Sequence, residues 1–317
     1  MKAFYKCTGL GVLCGLVGKT RQAFYEYKWR VEKTQFEDAI IVDLVRKERR
    51  IAKRVGGKKL FLILKKALLK HDITIGRDKF LDVLRDNDLL VKRRRRRVRT
   101  TMSRHRLRKY PNLSKSLEID RAEQLWVSDI TYLSVGGTHC YLILITDAYS
   151  RKVVGYNFGR TMDANFCVQA LESAIANRCF GDRKLMHHSD RGLQYCSEAY
   201  VKILKNNHIC ISMTENGDPL ENPLAERMNR IFKDNFALDV PFATFEEGRQ
   251  TIRNAIDYYN NRLPHSSIDM LTPMEAHHKT GDLKKHWKWY WKEEQEAMKQ
   301  LEVELEANIG IPNQSQR

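Results

Sequence analysis

The chain contains 317 residues, carries a formal net charge of +17 at pH 7 and has a sequence pI near 9.5. No apolar stretch approaches the roughly 20 residues that a membrane-spanning helix requires, and the first residues lack the apolar core of a signal peptide. These observations exclude a membrane-spanning helix and a secretory signal peptide, and we expect a cytoplasmic protein. The excess of positive charge favours a polyanionic partner such as nucleic acid.

The first 91 residues are rich in helical patterns and poor in strand patterns, so we expect residues 1–91 to form a separate helical region. Residues 7–13 predict one short helix. Thr20 is a good N-cap for a second helix, which we expect to end near Trp29.

A helix-turn-helix is predicted in the second half of this region. Residues 58–71 and 77–87 carry apolar residues at helical spacing, and a tight turn that ends in Gly76 joins them. Two helices with such a turn suit reading of the DNA major groove, with Arg77 and Lys79 leading the second helix. A helical packing domain that never touches DNA is the alternative.

Residues 92–121 form an arginine-rich linker that we expect to follow a phosphate backbone. Eleven lysines and arginines lie between Lys92 and Lys109, and no acidic residue occurs before Glu118. Affinity from such a run should fall steeply with salt. A solvated basic linker is the alternative. The linker residues that we expect to contact DNA are Arg93, Arg94, Arg95, Arg96, Arg97, Arg99, Arg104 and Arg106.

The first candidate catalytic residue lies in a predicted strand. The run from Trp126 to Tyr132 is β-branched and aromatic, and it should place Asp129 on one face beside Val127 and Thr131. An aspartate in the middle of a strand is disfavoured and is costly to bury unpaired. A divalent cation would compensate its charge.

Two further acids have equally specific surroundings. Asp190 ends an apolar run, and Arg191-Gly192 then opens a loop, so Asp190 should lie at the carboxyl end of a strand, where α/β sites form. Asn222 as N-cap and Pro223 at the first helical position predict a helix that carries Glu226 in its first turn.

We interpret Asp129, Asp190 and Glu226 as catalytic, metal-binding residues, because carboxylates supply the hard oxygen ligands that Mg²⁺ prefers. Two Mg²⁺ ions, for which Mn²⁺ should substitute, could stabilise both the attacking and the leaving oxygen of a displacement at phosphorus. Asp129 is our candidate for the bridging carboxylate, because strand flanks it on both sides. Taken singly, each acid also has a non-catalytic interpretation. Each could be a surface charge, Asp190 could cap a loop, and Glu226 could interact with the helix dipole in the first turn.

Five motifs in order make residues 122–275 resemble the catalytic core of the DDE transposases of the retroviral-integrase superfamily. The likeness is to bacterial insertion-sequence transposases encoded in a second, overlapping reading frame. The segments that carry it are Trp126 to Tyr132, Thr146 to Gly155, His187 to Tyr195, Asn222 to Glu226, and Tyr259 to His265 with Leu271 to Pro273.

This resemblance implies an α/β fold: a ribonuclease H-like mixed sheet that carries the first acid centrally, with helices on both faces. It implies that Asp129, Asp190 and Glu226 are the catalytic triad of an integrase catalytic core at 122–275. The N-terminal helix-turn-helix region would help to recognise terminal inverted repeats, and a C-terminal helical tail would occupy residues 276–317.

The implied activity is Mg-dependent cleavage and strand transfer of double-stranded DNA, at the ends of a mobile element and in its target. Because both ends must be processed together, we expect a homo-oligomer, at least a dimer in the synaptic complex. Such elements typically move by a copy-out-paste-in route, and the protein would be bacterial and nucleoid-associated. Two alternatives are a structure-specific nuclease that cuts but never joins, and a non-catalytic DNA-binding regulator derived from a transposase.

Two basic residues and two histidines lie close to the acids in the sequence. Arg230 and Lys233 follow Glu226 by four and seven residues, so we expect them to share its helix face and to grip phosphates beside the cut. Alternatively, Arg230 pairs with Glu226 or faces water. The seven cysteines and the histidines lack structural-zinc spacing. We expect His187 and His188 to have packing or sheet-edge roles, and orientation of water or phosphate near the metals is the alternative.

After the third acid, Phe245 to Arg262 predicts a helix whose Tyr258-Tyr259-Asn260 segment should pack in the core. The tail from Leu283 to Ile309 predicts one charged helix with an apolar stripe. Pairing with a second helix and docking on the protomer's own core are both compatible with that stripe.

Overall fold

The computed structural model describes residues 9–91, 107–115, 117–215 and 221–286. No helix in these ranges is both long enough and apolar enough to cross a membrane. The N-terminal helices are α1 (Leu10–Leu16), α2 (Arg21–Arg49), α3 (Gly57–Lys70) and α4 (Arg77–Asp86). The strands are β1 (Leu125–Val135), β2 (Thr138–Asp147), β3 (Val153–Gly159), β4 (Met186–Ser189) and β5 (Cys210–Met213). The helices of the second half are α5 (Ala164–Ala176), α6 (Glu198–Asn206), α7 (Pro223–Phe236), α8 (Phe245–Arg262) and α9 (Pro273–His277).

Helix α2 is much longer than predicted. Thr20 caps it as expected, with Oγ1 accepting from Ala23 N at 3.1 Å. The predicted end near Trp29 was wrong, because no glycine or proline interrupts the following residues and the buried Ile41 and Val45 continue the packed face. The short first helix begins at Leu10, three residues later than predicted.

The predicted pair of helices around Gly76 is confirmed as α3 and α4. Leu60 and Leu64 of α3 pack with Phe80 and Leu84 of α4 and with Ile41 of α2 in one buried cluster. The three helices thus form a small bundle in which α4 is held by its apolar face.

The sheet has the order β3-β2-β1-β4-β5, with β1 in the centre. Strands β1, β2 and β3 are antiparallel neighbours, whereas β4 pairs parallel with both β1 and β5. Gly136 and Gly137 make the hairpin turn between β1 and β2 with φ of 53° and 81°. This topology confirms the predicted α/β, ribonuclease H-like mixed sheet.

Helices cover both faces of the sheet. On one face, Leu171 of α5 and Tyr200 of α6 pack with Trp126 of β1. On the other, Phe232 of α7 and Tyr259 of α8 are buried with residues of β1, β2 and β3. The predicted core packing of the Tyr258-Tyr259-Asn260 segment is confirmed, since all three side chains are buried.

The N-terminal bundle contacts the helices of the second face. Tyr258 donates a hydrogen bond of 2.7 Å to Glu48 Oε2 of α2, and Arg262 forms an ion pair with the same carboxylate. Arg54, between α2 and α3, forms an ion pair of 2.6 Å with Asp239. These contacts orient the bundle over the ends of α7 and α8.

The predicted C-terminal helix falls mostly on residues outside the described ranges. Its first four residues, 283–286, are described and are not helical. Their backbone pairs with a preceding loop instead, through bonds of 2.8 Å from Asp269 N to Lys284 O and from His286 N to Ser266 O.

Candidate active site

Asp129 lies in the middle of the central strand and is half-buried. Asn229 Nδ2 of α7 donates a hydrogen bond of 2.8 Å to its Oδ2 atom. The backbone N–H of Ile130 donates to Oδ1 at 2.9 Å. Both carboxylate oxygens of Asp129 are therefore oriented by hydrogen bonds, Oδ1 by the backbone of the next residue in the strand and Oδ2 by a side chain of helix α7.

Asp190 directly follows β4, at the carboxyl end predicted for it, and is also half-buried. The last parallel pair between β1 and β4 is Val127 with His188. Two residues farther along each chain, Asp129 and Asp190 stand level in neighbouring segments. The N–H of Gly192 donates to Asp190 Oδ1 at 3.0 Å, which fixes the loop around this carboxylate.

Asp129 belongs to the face that α7 covers, and the neighbouring residues of β1 and β4 lie against the same helix and the residue before it. Val127 is buried against Ala225 of α7. His188 Nε2 lies 3.1 Å from the carbonyl oxygen of Glu221, just before α7. Because side chains alternate along a strand, Asp129 faces the same way as Val127.

Glu226 lies in the first turn of α7, as predicted, and is half-buried. Two polar contacts attach α7 to β1, one from a residue before Glu226 and one from a residue after it. Asn222 Nδ2 donates to Ser128 O at 3.0 Å, and Lys233 Nζ donates to Thr131 Oγ1 at 2.6 Å. Glu226 is thus carried on a helix that is fixed to the strand of the first aspartate.

Asn222 holds the N-cap position but does not cap the helix with its side chain, which contacts the sheet instead. The sequence predicted the N-cap position of Asn222 but not its contact with the sheet. Sequence reasoning also missed Asn229, although that residue follows Glu226 by three and so shares its helix face. A polar residue at that spacing was the available signal.

The two histidines of the sheet are buried and hydrogen-bonded, as predicted for packing residues. His187 Nε2 lies 3.0 Å from Tyr200 Oη, and His188 Nδ1 lies 2.8 Å from Ser212 Oγ. Burial lowers the pKa of His187 to about 3, and burial also lowers the pKa of His188. Both rings are therefore neutral at physiological pH and add no positive charge beside the acids.

Tyr195 links the second aspartate loop to the central strand. Its hydroxyl lies 2.9 Å from Ser128 Oγ. Burial and then the neighbouring Cys167, Asp190 and Asp129 raise the pKa of Tyr195 well above its ordinary value. Both aspartates therefore lie within electrostatic range of one buried phenol.

Four of the basic residues predicted to bind DNA are described, and they lie on two helices. Arg230 is exposed and Lys233 is half-buried on α7. Arg77 and Lys79 are exposed in the first turn of α4. The linker residues of the prediction lie outside the described residues: Arg93, Arg94, Arg95, Arg96, Arg97, Arg99, Arg104 and Arg106.

Family models described as integrase core domain match residues 120–219 and 207–273. The chain is 28% identical over 276 residues to a transposase for insertion sequence element IS629 from Shigella sonnei, covering 84% of this chain and 91% of the relative. It is 28% identical over 167 residues to a transposase for insertion sequence element IS904 from Lactococcus lactis, covering 52% of this chain and 66% of the relative.

A solved structure of the HTLV-2 integrase catalytic core domain in complex with magnesium has a TM-score of 0.40 and 20% identity. The match covers 50% of this chain and 98% of that one. The sequence matches to integrase core domains and transposases run through the segment that contains all three acids. This chain belongs to the insertion-sequence transposases of the DDE and retroviral-integrase superfamily.

Proposed function

We propose that this transposase binds the terminal inverted repeats of a mobile element and cleaves and joins DNA strands with Asp129, Asp190 and Glu226. One structural relationship supports this assignment above the others. The parallel register of β1 and β4 makes the two aspartates neighbours, and helix α7, which bears Glu226, is hydrogen-bonded to Asp129 through Asn229.

The three proposed ligands fit Mg²⁺, because they are half-buried carboxylates that offer only oxygen donors. Two bound Mg²⁺ ions, or Mn²⁺ in their place, would supply charge stabilisation to the attacking and leaving oxygens. Asn229 and the Ile130 and Gly192 amides hold the two aspartate carboxylates in fixed orientations.

The reaction would proceed in two displacements at phosphorus. Water first attacks the phosphate at the element end, and the bond from phosphorus to the 3′ oxygen breaks, which leaves a 3′-hydroxyl. That hydroxyl then attacks a target phosphate and displaces a target 3′ oxygen. The protein residues hold the acids and the DNA in place for both steps.

DNA contacts would come from three basic elements. Arg230 and Lys233 would hold phosphates beside the cut, and Arg77 and Lys79 would enter the major groove from α4. The arginines of the linker at 92–121 would follow the backbone. Because two ends are processed together, the active species would be at least a homodimer bound to element ends and target DNA, in the bacterial cytoplasm at the nucleoid.

The proposed domain plan follows from these roles. Residues 1–91 recognise the element end, 92–121 link, and 122–275 catalyse. Residues 276–317 form a C-terminal extension.

A strand-transfer assay tests the proposal with the protein, a labelled element end, target DNA and Mg²⁺. Asp190→Asn keeps the shape of the side chain but removes its charge, so we expect loss of joined product with end binding retained. Asp182→Asn, at an exposed loop aspartate, is the matched control and should behave as wild type.

Each of the other outcomes points to a different protein. Cutting without joining by the wild type would identify a structure-specific nuclease. Binding with neither cutting nor joining would identify a DNA-binding regulator. Undiminished joining by Asp190→Asn would refute the triad.

A further inference from the structure

A second group of potential metal ligands lies outside the acidic site. This group consists of Glu123, Cys179 and His277, and each places one ligand atom within 4.8 Å of the ligand atoms of the other two. Among the described residues, it is the one cluster of three histidine, cysteine or acidic side chains whose ligand atoms lie this close together. Glu123 and His277 are buried, whereas Cys179 is exposed. Strand β1 separates this group from Asp129, because Leu125 to Asp129 spans about 13 Å of strand.

The hydrogen bonds of Ser150 define the tautomer of His277. The Ser150 hydroxyl donates its single proton to the buried Asp147 Oδ1 at 2.7 Å. His277 Nδ1 lies 2.9 Å from the same Ser150 oxygen, so the ring must donate there. The other ring nitrogen, Nε2, then points a lone pair or a second proton at Glu123.

Nε2 of His277 is buried without a hydrogen-bond partner among the described residues. Its neighbour is Glu123 Oε1 at 3.5 Å, which is longer than a hydrogen bond should be. An ionised carboxylate oxygen can only accept hydrogen bonds. Because Nδ1 carries the proton of a neutral His277 ring, Nε2 would also be an acceptor, and two acceptors would face each other without a hydrogen between them. A cation between the two atoms would resolve this conflict.

Glu123 is held ionised in its pocket. Cys179 N and Phe180 N donate to its carboxylate at 2.6 and 3.1 Å, and Arg178 Nε approaches it at 3.3 Å. Burial alone would raise the pKa of Glu123, but the approach of His277 and the hydrogen bonds from the two amides and Arg178 outweigh burial and lower that pKa to about 2.

Two species could remove the repulsion between His277 Nε2 and Glu123 Oε1: a proton on Nε2 or a metal ion bound between the two atoms. The exposed thiol of Cys179 beside the pair favours a metal, because it adds a soft donor and a path to solvent. A thiolate, an imidazole and a carboxylate are the donors that Zn²⁺ takes, whereas Mg²⁺ takes oxygen alone. Carboxylate-supported orientation of the histidine through its other nitrogen, here by Asp147 through Ser150, is typical of bound zinc.

We propose that Glu123, Cys179 and His277 bind one Zn²⁺ ion, with a water molecule completing the coordination. On binding, Cys179 loses its thiol proton to solvent and His277 coordinates through Nε2. The site acts as a clamp, since its three ligands come from the residues before β1, the loop after α5 and helix α9.

The segments that the ion would join already touch. Gly281 N donates to Asp120 O at 2.8 Å, and Tyr149 Oη donates to Gly281 O at 2.8 Å. Zinc would therefore strengthen the attachment of the segment after α9 to the start of β1 without rearranging the chain.

Equilibrium dialysis of the full chain against Zn²⁺, with excess Mg²⁺ present, measures affinity and stoichiometry. Co²⁺ in place of Zn²⁺ reports a thiolate ligand by its charge-transfer absorption. We expect one tightly bound ion in wild type. Cys179→Ser should weaken binding by about 100-fold or more, because losing even a residue that only orients a ligand costs roughly 10- to 100-fold.

Cys210→Ser is the matched control, because Cys210 is the other exposed cysteine among the described residues. It should keep both the affinity and the cobalt-thiolate band. Asp190→Asn should keep them too, which separates this site from the acidic one. Zinc should also raise the Tm of wild type but not of Cys179→Ser.

Equal zinc affinity in wild type, Cys179→Ser and His277→Gln would overturn the proposal and leave an imidazolium–carboxylate ion pair at this place. Circular dichroism of the variants ensures that loss of binding is not loss of fold.

Discussion

Asn229 Nδ2 donates a hydrogen bond of 2.8 Å to Asp129 Oδ2, and this bond joins helix α7 to the middle of the central strand. The same helix carries Glu226 one turn earlier. The orientation of the first acid and the position of the third are therefore coupled through one amide.

Asn229→Ala should slow strand transfer while leaving end binding intact. A hydrogen bond to a charged group is worth about 1.5 to 3 kcal/mol, and such a loss in the reaction barrier corresponds to a rate lower by roughly 10- to 100-fold. Single-turnover rates with Mg²⁺ measure the effect. Asn261→Ala, on the exposed face of α8, is the control, and equal rates for the two variants would contradict the coupling.

The local surroundings of the three acids could be predicted from the sequence, because a short-range pattern marks each of them. The β-branched run around Asp129, the loop opening after Asp190 and the Asn222-Pro223 helix start are all short-range signals. The mixed sheet with the first acid in its central strand followed from the resemblance, and it was confirmed.

The residues that sequence reasoning missed depend on contacts between distant segments. Asn229 and Asp129 are 100 residues apart, and nothing in either segment specifies which strand α7 crosses. Glu123 and Cys179 are 56 residues apart, so no local ligand spacing could predict their meeting. The end of α2 was missed for another reason: its exposed, weakly patterned middle gave no helix signal, whereas buried Ile41 and Val45 extend it through tertiary packing.

Stability should fall as the pH drops below 6.5. Burial lowers the pKa of His187 and of His265 from 6.5 to about 3 each, so the unfolded chain binds protons before the native state does. Their contribution is complete above pH 6.5 and is lost as the pH falls toward 3, by up to about 1.4 kcal/mol per pH unit for each group. Urea unfolding at pH 7, 6 and 5 measures the slope.

His187→Gln should flatten that slope, because the variant removes one of the two titrating groups while its amide can still reach Tyr200. The exposed His139→Gln serves as control and should keep the wild-type slope. A slope unchanged by His187→Gln would show that this ring is not held neutral by burial.

Tyr258→Phe should loosen the N-terminal bundle from the catalytic half. The lost hydroxyl leaves Glu48 without its 2.7 Å bond, and we expect about 1 to 2 kcal/mol less stability and faster protease cleavage between α2 and α3. Tyr132→Phe, at an exposed tyrosine of β1, is the control. Unaltered proteolysis in Tyr258→Phe would mean that the other contacts alone hold the bundle.

Arg230→Ala should weaken binding to any DNA sequence and lower the salt dependence of binding. If Arg230 neutralises one phosphate, the slope of log K against log salt should fall by about 0.9. Titrations of a labelled duplex at several salt concentrations measure it. Arg249→Ala removes an exposed arginine that pairs with Glu246 on α8, and this variant should leave the slope unchanged. The same slope in wild type and Arg230→Ala would remove Arg230 from the interface.

Lys79→Ala should reduce the preference for the element end over unrelated DNA. Lys79 is exposed in the first turn of α4, where a recognition helix makes its base contacts, whereas neighbouring Arg77 is partly engaged by Asp78 at 2.8 Å. A lost base contact costs about 1 to 3 kcal/mol of discrimination. Competition of labelled element ends with unrelated duplex measures the ratio, with Lys28→Ala on α2, an exposed lysine paired with Glu32, as control. If both variants keep the wild-type ratio, α4 does not read sequence through Lys79, and the helical bundle would then serve packing alone or bind DNA by another face.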